Sequence, residues 1–232
     1  MIDYLKYNIK ILFSPIKWLL CALFMTIIPI AFYCPTLLDF MNLSEIYMPF
    51  VGIVMISDIM LVDKYNYTSE ILFLTRENKA KIFLIRFLFV SFLIILFMLI
   101  PFLLVYFGFT PNGDIYEGYL FSYWEYLWIG FTGTIFLGVL SMTVINLFSA
   151  IQVGYIVSLM YWVYWNINMG KSSVFNIFSF SNYHDYNKSK IFLLGVTIIL
   201  IVFNGWLVNR SPLKEGQICF LKNNLKDYLK NI

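Results

Sequence analysis

The sequence predicts an all-α membrane protein with six transmembrane helices and both termini on the cytosolic side. Two observations set the class: 61% of the 232 residues are hydrophobic, and only 12% are charged. A soluble domain carries about twice that share of charge, whereas side chains facing lipid must be apolar. A third is the 20% aromatic content, since Trp and Tyr rings gather at the membrane–water interface. The same composition excludes a disordered chain.

A helix needs about 20 apolar residues to cross about 30 Å of hydrocarbon. Apolar runs of suitable length lie at 16–33, 46–62, 82–107, 126–148, 151–166 and 191–208. Backbone amides in lipid must be paired within their own segment, which makes these runs helices. None alternates as a barrel strand would. The first run contains Pro29 and lacks a small-x-small cleavage pattern, so it reads as a span and not a cleaved leader. The third is uncharged between Phe87 and Phe107, while the fifth is short and aromatic. Pro29 and Pro101 are expected to bend spans one and three.

Charge sets the orientation. With the N-terminus in the cytosol, 13 of the 16 basic residues lie on the inner side, and only Lys171, Lys188 and Lys190 fall in outer loops. That is the positive-inside distribution. The outer loop after span three holds Asp114, Glu117 and Glu125 and no basic residue. The whole chain is expected to be one transmembrane unit: a first amphipathic helix over 1–15, a bundle over 16–208 and a basic amphipathic tail over 209–232. At the front, Ile2, Leu5, Ile9 and Leu12 form a stripe, with Lys6 and Lys10 off it. Ile218, Leu221, Leu225 and Leu229 do the same in the tail. Such helices lie in the headgroup layer; the tail equally suits a cytosolic partner.

The candidates for chemistry are few. Cys21, Cys34 and Cys219 share no repeated spacing, and His184 is the one histidine, so neither a disulfide framework nor a metal site is expected. Gly170-Lys171-Ser172 imitates the end of a phosphate-binding loop, but Trp165 stands where its first glycine belongs. No metalloprotease or serine-hydrolase motif occurs. Asp58 is the acidic residue well inside a predicted span; it is either a functional intramembrane carboxylate or a group satisfied near the cytosolic end. Gly130, Thr134 and Gly138 in span four, with Gly154 and Ser158 in span five, allow close helix approach. That approach is either within one chain or between two. Asn146, Gln152, Asn166 and Asn204 are expected to join helices by hydrogen bonds.

The inner loop between spans two and three, residues 63–81, is the most informative stretch. Thr68 or Ser69 can cap a short helix opened by Glu70, with Ile71, Leu72 and Leu74 as its apolar patch. On spacing alone, this is a solvated basic loop or a handle for a cytosolic motor. Glu70, Leu72, Leu74, Thr75, Lys79 and Arg86 together resemble the loop after the second span in type-2 ABC exporter permeases. The pattern departs from that family at Ile71, where a glycine is usual, and at Arg76, where a proline is usual.

The resemblance implies an elbow helix over 1–14, a coupling helix over 70–76 (Glu70, Ile71, Leu72, Leu74, Thr75, Arg76), a tight inner turn at 147–151 and short re-entrant helices within 170–187. It further implies a bacterial plasma-membrane exporter whose permease pairs with a second copy, a homodimer, around a path lined by spans one, two and five. A separate ABC ATPase binds ATP and Mg, so this chain is expected to be no enzyme and to hold no cofactor, metal or nucleic acid. Asp58, Trp162 and Trp165 are the pathway candidates, and the aromatic outer end suits an amphipathic or hydrophobic cargo, an antimicrobial or cytolytic peptide. The alternative is a free-standing immunity protein that sequesters a toxic peptide. A channel is disfavoured because no span carries a repeated polar face.

Overall fold

The computed structural model describes residues 14–32, 36–61, 79–107, 122–181 and 186–208. Those residues contain six α-helices: α1 (Pro15–Ala31), α2 (Leu37–Ile56), α3 (Lys79–Tyr106), α4 (Tyr123–Phe148), α5 (Ile151–Ile167) and α6 (Tyr186–Val208). Four of them, α2, α3, α4 and α6, are long and apolar enough to cross a membrane. The expected helix at the N-terminus, the coupling helix and the tail lie outside the described residues, apart from Ser14 and Pro15.

Local chemistry moves several boundaries. The second helix begins at Leu37, nine residues before the expected start, because Thr36 caps it by accepting from the Asp39 amide at 3.1 Å. It ends at Ile56, before the expected end, and turns through 57–60. Asp58 therefore sits past the helix, while Glu45 and Pro49 are inside it. The fourth helix starts at Tyr123 through a capping box, in which Ser122 and Glu125 satisfy each other's amides. Pro at the first position suits α1, whose amide there has no helical partner. The connection from α4 to α5 is the tight turn expected, made by Ser149 at φ 53° and Ala150 in extended backbone.

α4 is the central helix. In its most apolar stretch 78% of residues are buried, against 17% for α6. Its contact with α2 depends on glycine: a Cβ on Gly52 would stand 2.0 Å from the Thr134 carbonyl oxygen, and one on Gly138 would stand 2.6 Å from that of Gly52. Backbone meets backbone there, as small residues permit in lipid. Gly154 brings α5 equally close to Ser141 and Ile145 of α4, and the Ser158 hydroxyl points at the Leu137 carbonyl. Thus the small residues singled out in spans four and five pack one chain internally.

The outermost helix is patterned inside out. The residues that α6 buries include Ser189, Lys190, Thr197 and Asn204, while Ile191, Ile198, Ile199 and Val202 are exposed. A polar stripe turned inward and an apolar face turned outward is the reverse of a soluble helix. Asn204 donates to the Thr143 hydroxyl at 2.7 Å and accepts from Asn146 at 2.8 Å, joining α6 to α4.

Candidate functional site

The main polar constellation lies between the N-terminal half of α2 and the start of α6. Glu45 and Lys190 are fully buried, and the ammonium donates to the carboxylate at 2.5 Å. The carboxylate also accepts from two consecutive amides, Phe180 at 3.1 Å and Ser181 at 3.3 Å. Lys190 donates in addition to the Ile177 carbonyl at 2.9 Å. Two charges so far from water persist only when paired and hydrogen-bonded, and both conditions are met.

The chain between α5 and the pair forms the lid of this constellation. Residues 168–181 run through turns and irregular backbone, so the short helices expected within 170–187 are absent among the described residues. The physical reason is visible in the bonding. Asn176 donates to the Met169 and Lys171 carbonyls and accepts from the Phe178 amide, and these local bonds compete with helix formation. Ile177, Phe178, Ser179 and Phe180 are buried. Irregular backbone at such depth requires protein partners for its amides, which Glu45 supplies.

The expected pathway residues divide into two groups. Trp162 donates its indole N–H to the Ile46 carbonyl at 2.8 Å and meets Phe50 and Phe178. Trp165 is buried in the cluster of Ile177, Phe178 and Leu193. Both tryptophans therefore support the lid. Asp58 lies beyond the other end of α2, about 20 Å from Glu45 at 1.5 Å per helical residue, and accepts from Lys17 of α1 at 2.6 Å. The structure does not bring Asp58 and the tryptophans together.

The Lys17–Asp58 pair keeps part of its surface exposed, in contrast to Glu45–Lys190. Lys17→Met or Asp58→Asn is therefore expected to lower thermal stability in detergent by under about 1 kcal/mol. A loss several times larger would contradict the assignment of this pair to an interfacial position. Nearby, Arg86 is buried in α3 and donates to the Ile59 carbonyl at 3.3 Å.

No protein-family model, curated protein or solved structure matches the chain. The fold itself, with its inside-out α6 and four long apolar helices, is that of a helical, multi-pass membrane protein.

Sequence reasoning missed the Glu45–Lys190 pair. Lys190 was placed in an outer loop, but α6 begins at Tyr186 and takes Lys190 into the bundle. Glu45 fell before the expected start of span two. A signal was present nevertheless: one acidic and one basic residue each border a long apolar run, and charges at such depth come in pairs.

Proposed function

We propose that this chain is the membrane-spanning subunit of an ATP-driven ABC exporter in a bacterial plasma membrane. The observation that carries the reading is the order of features in the second half of the chain. A two-residue turn joins α4 to α5, and a buried non-helical segment dips into the bundle before α6. A tight turn is what the permease resemblance implies at this point in the chain; the re-entrant helices that it also implies are replaced over the described residues by buried irregular backbone. The Glu70–Arg76 loop signature supports the same reading from sequence.

On this reading all six helices cross. α1 and α5, at 17 residues each, extend about 25 Å at 1.5 Å per residue, within the lower range for spans. Two copies enclose the path, and two ATPase subunits bind ATP and Mg and push on the loop containing Glu70, Ile71, Leu72, Leu74, Thr75 and Arg76. The cargo is an amphipathic or hydrophobic peptide, matched to the exposed aromatic and apolar end of α5, where Tyr164 and Ile167 face outward.

The test is extraction in mild detergent with affinity capture of this chain. A soluble ATPase with a complete phosphate-binding loop is expected to co-purify, and Glu70→Lys is expected to release it and abolish export or resistance. Absence of any ATPase, with export unaffected by Glu70→Lys, overturns the proposal.

A further inference from the structure

Within the lid, residues 174–181 meet the bundle at polar contacts that gather around Glu45 and Lys190. Tyr161 holds the Phe175 carbonyl and Ser189 the Ser173 carbonyl, both near the surface. Deeper, the Phe180 and Ser181 amides and the Lys190 ammonium converge on Glu45. An ammonium with two consecutive amides is the donor set of a carboxylate-binding nest. Here the chain's own α2 fills the nest.

Val174 and Phe175 are exposed, whereas Ile177 and Phe178 are buried with Trp162, Trp165 and Leu193, and Phe180 is buried in the larger core beside Tyr186. A segment without regular secondary structure opens more readily than the helices around it.

We infer that residues 174–181 form a plug that opens as a unit, and that the Glu45 carboxylate is its latch. The latch has two separable parts. Lys190 fixes the carboxylate to α6 and holds the Ile177 carbonyl, and the carboxylate fixes the plug through the amides of Phe180 and Ser181. A simple ion pair between helices needs only opposite charges at 45 and 190. A latch needs an acceptor at 45 in particular, because amides only donate. This inference goes beyond the exporter reading and requires neither motor nor cargo.

The two roles separate in a labelling experiment on the full-length protein in detergent. Cys21, Cys34 and Cys219 are first replaced, and Ser179→Cys is introduced as a reporter in the buried half of the plug. Ser141→Cys, buried in α4, reports opening of the bundle in a parallel sample. A water-soluble maleimide is expected to react slowly at both positions. In a Lys190→Met background, which strands no charge, Glu45→Met leaves no acceptor at 45 and is expected to label at 179 at least about tenfold faster than Glu45→Gln, which keeps one, with no difference at 141.

The charge exchange Glu45→Lys with Lys190→Glu restores opposite charges but leaves no acceptor at 45, so labelling at 179 is expected to stay fast. Protection restored by the exchange would reduce the pair to a staple between helices and overturn the latch. So would equal rates at 179 in the Glu45→Met and Glu45→Gln forms of the Lys190→Met protein. Equal acceleration at 141 and 179 would also overturn it, since the opening would then be that of the whole bundle. Loss of ATPase capture leaves these outcomes untouched, so the two proposals fail independently.

Discussion

Lys190→Met is expected to destabilise the protein by about 3–5 kcal/mol, the cost of leaving one partner of a buried ion pair uncompensated. Glu45 would remain at the centre of the bundle with only the Phe180 and Ser181 amides as donors. Methionine matches the length of the lysine stem, so the loss comes from charge and not from volume. Adding Glu45→Gln to Lys190→Met is expected to recover most of the loss. Glutamine removes the stranded charge and keeps an oxygen for the two amides. Thermal unfolding in detergent of the wild type, both single variants and the double variant forms a complete cycle. Additive losses in that cycle would mean that the two residues do not act as a pair.

The second large effect is expected at the crossing of α2 and α4. Gly52→Val places a branched side chain where even a Cβ would lie 2.0 Å from the Thr134 carbonyl oxygen. The obstacle is backbone on the facing helix, which no rotamer change relieves. The helices must separate, and the loss is expected to reach about 3 kcal/mol or more, enough to prevent accumulation of folded protein. Gly138→Val is expected to act similarly, since its neighbour is the Gly52 carbonyl.

Gly195→Ala and Gly205→Ala on α6 are the controls. Nothing lies within 4 Å of a Cβ at either position. Alanine there is expected to stabilise by up to about 1 kcal/mol through helix propensity. Expression with thermal melting ranks the four variants. A tolerated Gly52→Val would refute the close crossing.

Much of the fold was legible because lipid imposes a coarse rule: long apolar runs, closed by polar or turn-forming residues, must be helices. Five runs map onto helices with ends displaced by a few residues. The second was displaced more, since a Thr36 cap and a turn at 57–60 outweigh hydropathy in setting helix ends. The tight turn at Ser149–Ala150 also followed from the sequence, as did the joining of Asn146 and Asn204 in some helix contact. The further bond of Asn204 to Thr143 did not.

The site was far less legible. The sequence offers Trp162 and Trp165 as pathway candidates but does not reveal their neighbours, the Ile46 carbonyl and the buried Ile177 and Phe178. Asp58 is legible as either a functional carboxylate or a group satisfied near its end of the span, and only the structure supplies Lys17 of α1 as its partner. In each case the deciding partner is remote in sequence, and hydropathy along a chain contains no information about which remote groups meet.

By itself, then, the sequence determined that this chain is a helical membrane protein and which stretches form its helices, because composition and run length act locally against lipid. Only the tertiary structure decided that Glu45 meets Lys190 across 145 residues and that irregular backbone at 177–181 is satisfied by that carboxylate. Pairing buried charges depends on the geometry of three elements at once, and that geometry exists only when α2, α6 and the segment before it have packed.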